Sequence, residues 1–325
     1  MNHENLAQKT IVASRIVSTD QLFDLYISAR QRSIKPSTTE TYTYIYEKHI
    51  SPLIGRISPK NVTLFHLQQI LNSMSDSDYA SATIELTATI LSSLFSYACR
   101  YEFTSVSPAR FLDIPKGRSR KEKTVFTQWQ QNIFLRYTAN SPLAALFHLA
   151  LYTGMRQGEL CALRWQDIDF RTETLHVQHT MHHQSGNAII TSPKTSSSIR
   201  DIPLFPQAVS ILEKLARQSS NASNGFVFTL NGSTVRKGQI SREIVRILSN
   251  IQVDYPDFPY FTMHTTRHTF ATRCIEAGMT PKVLQKILGH SSLSVTMDTY
   301  VSVLDEEKHR QMKLVSNAFA LDDEL

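Results

Sequence analysis

Cysteine is scarce. The 325 residues hold three, Cys99, Cys161 and Cys274, far apart and with no CxxC pair. So sparse and odd a set excludes a disulfide framework and fits a reducing compartment. Long apolar runs are missing too. Leu143 to Leu151 is interrupted by His148 and is too short to span a bilayer. Residues 1–17 carry charges and amides where a secretion signal needs an apolar core. These absences lead to the expectation of a soluble, cytoplasmic protein with no membrane partner. Internal repeats and low-complexity tracts are also lacking. Acid is in mild deficit, 28 Asp plus Glu against 34 Lys plus Arg, for a net charge of +6. That balance admits nucleic acid as a partner without requiring it. With 41% hydrophobic residues the chain can bury a sizeable core. Its length suits two domains, because single cores seldom grow beyond about 250 residues.

Residues 1–17 show no period and read as a flexible arm. Helical patterns then follow. Thr19 or Asp20 can cap a helix bearing Leu22, Phe23, Tyr26 and Ile27, and a second follows Pro36. Thr63 can cap a third, and a longer one runs from about Ser77 to Arg100. Residues 18–113 therefore read as a small helical bundle. The stretch 114–123, IPKGRSRKEK, reads as a basic linker with Lys116, Arg118, Arg120, Lys121 and Lys123 against one acid. It is either a solvated tether or a tether lying along a phosphate backbone, and charge alone divides evenly between the two. The remainder, 124–304, is mixed. Helices near Thr127 and Pro142 precede three predicted strands, Leu175–His179, Asn187–Thr191 and Ile199–Leu204, of one small antiparallel sheet. Helices resume near Pro206, Ser233, His264, Pro281 and Ser292. The expected fold class is mainly α with a small antiparallel β-sheet, an α+β chain.

Four segments carry chemistry-bearing residues. In LYTGMRQGEL, Gly154 ends one helix and Gly158 sits just inside the next, so Arg156 is held at a turn beside a helix N-terminus, where an anion is welcome. Glu159 can pin that guanidinium bidentately from behind. In SPKTSSSIRDIPL, Lys194 rides a hairpin tip. In HTTRHTF, His264 and Arg267 share a helix face at i,i+3, joined by His268. In LGHSSLSVTMDTY, Gly289 ends a helix, His290 follows, and a short helix delivers Tyr300. Each has an ordinary reading by itself: a surface ion pair, a solvated lysine, a core histidine, a half-buried tyrosine.

The set is less ordinary than its members. Two arginines, a lysine, two histidines and a tyrosine suffice to transfer a phosphodiester without metal or nucleotide. Arg156 and Arg267 can present paired N–H donors to the non-bridging oxygens of the transition state. His264 and His290 can add donors, with protonation near neutrality. A phenol with an unperturbed pKa of about 10 needs a base or an electropositive site to attack. Lys194 can protonate the leaving 5′ oxygen.

In order and spacing, TGMRQGEL, SPKTSSSIRDIPL, HTTRHTF and LGHSSLSVTMDTY resemble the tyrosine recombinase family, also called the phage integrase family. The resemblance covers residues 120–305 and extends less specifically to the helical bundle, which is similar to that family's core-binding domain. It implies Tyr300 as nucleophile, with Arg156, Lys194, His264, Arg267 and His290 completing the site and no metal or other cofactor. It implies a C-shaped clamp on double-stranded DNA and a 3′-phosphotyrosyl intermediate. Four protomers would act on two recombination sites, with room left for an accessory directionality factor. The segment 305–325 then packs on a neighbouring protomer, or is a frayed tail ending in LDDEL. With only about 17 residues ahead of the bundle, no folded arm-binding domain is expected there. The biological role implied first is integrase of a mobile element, with Xer-like dimer resolution or inversion nearly as compatible. A type IB topoisomerase and a non-catalytic DNA-binding protein are more remote readings. The histidine-rich LHVQHTMHHQSGN does not imply a metal, because His176 and His179 face opposite sides of a strand. Nor does the 264–268 pair, since Thr265 stands where a zincin helix needs Glu.

Overall fold

The computed structural model describes residues 17–31, 33–119, 124–184, 187–191, 198–218, 225–293 and 312. The chain divides into two compact units, Met1–Glu122 and Lys123–Leu325.

In the first unit, helix α1 (Thr19–Arg30) starts where the Ser18 hydroxyl accepts the Gln21 N–H at 3.3 Å. It buries Leu22, Phe23 and Tyr26. Pro36, whose missing N–H costs nothing at a helix start, opens α2 (Pro36–Ile45). A π-helical turn, Tyr46–Ile50, then leads into the short α3 (Ser51–Ile54). That turn places the Tyr46 ring against Phe23, centroids 3.7 Å apart, and its hydroxyl on Asp20 at 2.9 Å. Thr63 and His66 form a reciprocal capping box on α4 (Leu64–Asp76). The central α5 (Ser81–Arg100) is long and apolar enough, by length and composition alone, to cross a membrane. Ile84, Ile90, Leu91, Leu94 and Phe95 on it are instead fully buried in this unit's own core.

The segment read as a linker does not leave the first unit as a free tether. The Ser75 hydroxyl donates to the Lys116 carbonyl at 2.8 Å. Arg118 donates its N–H to Tyr79 O at 2.9 Å and accepts from Ser81 N–H at 3.1 Å. A Cβ on Gly117 would overlap the Tyr79 carbonyl oxygen, so backbone approaches backbone only because that residue is glycine. The Arg118 guanidinium lies 3.4 Å from Asp78. Arg120, Lys121 and Lys123 lie outside the described residues.

The second unit opens with α6 (Gln128–Thr138), capped by Thr127, and the strongly apolar α7 (Ala144–Thr153). Phe126, Phe134, Phe147, Phe258 and Phe261 form the aromatic centre of its core. After α8 (Gln157–Ala162) come β1 (Ile168–Asp169) and β2 (Thr174–Val177). These join β5 (Arg200–Pro203) in a three-stranded antiparallel sheet of order β1-β2-β5. Here the structure departs from the expected single sheet. Asn187–Thr191 (β4) pairs with Thr180–Gln184 (β3) as a separate hairpin. Gly158 of α8 is the seat for that hairpin: a Cβ there would lie 2.5 Å from Thr180 Oγ1 and 2.9 Å from the Met181 carbonyl. Then follow α9 (Pro206–Gln218), the two-residue strands β6 (Thr229–Leu230) and β7 (Ser233–Thr234), and α10 (Lys237–Asp254). Last come α11 (Met263–Glu276) and α12 (Pro281–Leu288).

Helix α11 is polar by sequence yet largely buried. Thr265, Thr266 and Thr269 make this tolerable, because their hydroxyls find partners, whereas the buried Thr272 hydroxyl has none among the described residues. Thr266 donates to Met263 O, and Thr269 donates to Thr265 O while accepting the Phe126 N–H at 3.0 Å.

Candidate active site: three arginines on three successive carbonyls

Helix α7 stops at Gly154 (φ 62°, ψ 17°), a left-handed residue. A Cβ at this position would stand 2.5 Å from Phe270 Cδ1 and 2.9 Å from Leu288 Cδ2, so packing as well as dihedral requires glycine. Two residues on, Arg156 is the N-cap of α8 with extended backbone, which projects its side chain at the junction of the two helices. Helix α12 ends the same way, at Gly289 (φ 65°, ψ 45°). Helix C-termini leave carbonyls without intrahelical partners and carry the negative end of the helix dipole. Both features invite guanidinium groups.

Arginine takes up that invitation at each turn. Arg200 Nε donates to Ile287 O at 2.5 Å, Arg267 Nη2 to Leu288 O at 2.7 Å and Arg156 Nη2 to Gly289 O at 3.1 Å. Arg267 also reaches the end of α7 through Nη1 on Gly154 O at 2.6 Å, and only 5% of the residue is exposed. The Arg156 side chain keeps 38% of its surface open. Glu159 is buried among these cations. It meets Arg156 through one guanidinium contact, Nη1 to Oε1 at 2.8 Å, and one backbone N–H, to Oε2 at 2.8 Å. Its bidentate partner is Arg200, with Nη2 on Oε2 at 2.9 Å and Nη1 on Oε1 at 3.1 Å. Burial pushes the Glu159 carboxyl up, but the Arg200 hydrogen bonds and the charges of Arg200 and Arg156 outweigh it and hold the group below its ordinary value. Among the described residues, three guanidinium groups against one carboxylate leave two positive charges in the cluster.

His264 sits in the first turn of α11, its N–H on the Thr262 cap at 3.2 Å, and His290 follows Gly289 directly. The expectation of protonation near neutrality is not met in the free protein. Burial lowers the His290 pKa to about 4, with Arg267, Arg156, Arg200 and His268 adding to the effect. His264 is shifted the same way by the packing around its ring and then by Arg267, Arg156 and Lys237, although the residue as a whole remains exposed. The arginines that make the site attractive to an anion also disfavour an imidazolium. Both rings therefore offer neutral N–H donors until an anion binds. One consequence is measurable. The unfolded chain takes up a proton at His290 near pH 6.5, the folded chain only near pH 4, so the unfolded state binds more protons between those values. Stability should fall as pH drops from about 6.5 to 4 and change no further through this group below that. Thermal melting across this window should show a shallower loss for His290→Gln than for the wild-type protein.

Of the other candidates, Lys194 and Tyr300 lie outside the described residues, and Lys116 and Arg118 belong to the first unit. Among the described residues no group of three or more His, Cys, Asp or Glu comes together as a metal site. His176 pairs instead with Asp201, Nδ1 to Oδ1 at 2.7 Å. Burial pushes the Cys161 and Cys274 thiols up to about 12, which makes neither a competing nucleophile. Arg200 was the residue missed by sequence reasoning. Its signal was the two-residue period of its strand, which sets Arg200 in phase with Ile202 and Leu204, both core residues.

Residues 126–307, more than half the chain, match the model of the phage integrase family, and residues 20–75 match the phage integrase N-terminal SAM-like domain. The chain is 29% identical over 316 residues to a tyrosine recombinase XerC-like protein of Caldanaerobacter subterraneus, covering 88% of this chain and 79% of that one. It is 24% identical to the ICEBs1 integrase of Bacillus subtilis, with the same two coverages. In fold it is similar to the Tn1549 transposon integrase solved with a circular intermediate DNA, at a TM-score of 0.78, covering 91% of this chain and 99% of that one at 24% identity. An arginine-lined site on a mainly helical scaffold and a family match across more than half the residues lead to one assignment: the chain belongs to the phage integrase family, the tyrosine recombinases, enzymes that cut and rejoin DNA.

Proposed function

We propose that this recombinase is the integrase of a mobile element and that Tyr300 is its nucleophile. The observation that carries the reading is the grip of Arg156 and Arg267 on the successive carbonyls of Gly289 and Leu288. Those contacts fix two permanently charged forks beside His264 and His290. A phosphodiester seated there has its non-bridging oxygens met by guanidinium and imidazole N–H donors, which strengthen as charge builds in the transition state. The Tyr300 phenol gives up its proton to solvent as its oxygen bonds to phosphorus, and the bond to the 5′ oxygen breaks. Lys194 donates the proton that completes the 5′ hydroxyl. Rejoining runs the same exchange backwards from the 5′ hydroxyl of a partner strand, releasing the phenol. The energy of the bond is kept in the phosphotyrosine, so no nucleotide is consumed.

Double-stranded DNA is the partner, supported by the DNA complexes of the structural neighbours. Lys116, Arg118, Arg120, Lys121 and Lys123 contact its phosphates, four protomers join two sites, and an accessory factor sets direction. The XerC-like relative favours one second reading, dimer resolution by the same chemistry. Recovering covalent protein–DNA adducts from cells under denaturing conditions and sequencing the attached DNA tests the proposal. Adducts at one or two short sites, joined to sequence of a mobile element, support it. Adducts scattered without sequence preference would make the enzyme a type IB topoisomerase instead.

A further inference from the structure

We propose that Arg200 is a positioning residue that keeps the Arg156 charge uncompensated and its guanidinium aimed by taking Glu159 as its own counter-ion. This rests on the reading of Arg156 as a phosphate ligand, and extends it to a residue that touches no substrate. Among the described residues Arg200 donates to Ile287 O through Nε, to Ser198 O at 3.0 Å through Nη1, and to both Glu159 oxygens. Its side chain is 5% exposed, against 38% for Arg156. One guanidinium is therefore turned inward and the other is left open to a ligand.

The Glu159 carboxylate accepts four hydrogen bonds, two on each oxygen, two from Arg156 and two from Arg200. With its side chain 2% exposed it has no water to replace a lost partner. If Arg200 were neutral, Arg156 alone would balance this buried carboxylate. An arriving phosphate would then meet a cluster whose net charge had fallen from two to one, with Arg267 alone uncompensated. With Arg200 present, Arg156 is held by the carboxylate without being neutralised by it. The Nε contact adds a mechanical link. It ties β5 to the carbonyl just before those that hold Arg267 and Arg156, so one side chain sets the register of the α12 terminus for both.

The test uses single-turnover cleavage of a nicked duplex bearing the site recovered from wild-type adducts, with the full chain. Arg200→Gln should cleave about a hundredfold more slowly, whereas Arg200→Lys, which keeps the charge and loses the fork, should stay within about tenfold of wild type. Adding Glu159→Gln to Arg200→Gln should restore about tenfold, because it removes the carboxylate that then neutralises Arg156. A simple packing role would make that double variant worse. The inference is overturned if Lys is as poor as Gln, if the double variant is no faster than Arg200→Gln, or if Arg200→Gln cleaves like wild type. Tyr300→Phe in the same assay separates the two levels. Adduct formation by that variant would sink the catalytic reading itself. A blank there, with Arg200→Gln at wild-type rate, would sink this inference alone.

Discussion

Tyr300→Phe is expected to remove covalent adducts, slowing cleavage by at least about a thousandfold, while DNA affinity stays within about threefold. The substitution deletes one oxygen and keeps the ring. Affinity for DNA comes mainly from cations on phosphates, and those are untouched. What disappears is the only atom proposed to bond to phosphorus. In the proposed mechanism the cluster's two uncompensated positive charges hold the phosphate that the phenol attacks. Denaturing gels of protein incubated with labelled site DNA read the adduct, and gel shifts at fixed salt read affinity. Persistent adducts in Tyr300→Phe would move the nucleophile elsewhere. Loss of binding together with adducts would mean that the hydroxyl is structural.

The site was legible where glycine punctuates the sequence. Gly154 and Gly289 each end a helix, and the residue that matters stands one or two positions beyond, which the text TGMR and LGH displays directly. Helix spacing placed His264 and Arg267 together for the same reason. The sheet was harder. Three strands of suitable composition read as one sheet, because composition does not reveal that Gly158 offers the middle pair a separate seat on α8. Histidine protonation was misread because a pKa near neutrality belongs to a solvated ring. Here burial comes first, and the arginines, 23 to 134 residues away in sequence, add to it. The bidentate partner of Glu159 was sought three residues away, at Arg156. It lies 41 residues away, at Arg200, and only folding brings it there. Non-local ion pairs leave no spacing to read.

Arg267→Ala and Arg156→Ala should lose cleavage alike and stability unequally. Each removes donors from the transition state, and a loss of about a hundred- to a thousandfold is expected for either. Arg267, however, is buried and bridges two helix ends, Gly154 O and Leu288 O. Its removal strands two carbonyls inside the core of the second unit. That should cost about 3 kcal/mol, or roughly 6–12 °C in melting temperature for a unit of this size. Arg156 is partly solvated, and without it Glu159 keeps its bidentate bond to Arg200. Its loss should cost about 1 kcal/mol or less. Lysine at 267 should rescue neither property fully, since one ammonium cannot span two carbonyls and still face a phosphate. Thermal melting beside single-turnover cleavage checks the split. Equal melting losses would mean that solvent reaches the stranded carbonyls, and that Arg267 is an anion ligand with no bridging role. A larger loss for Arg156→Ala would reverse the assignment of which arginine braces the site and which one faces the DNA.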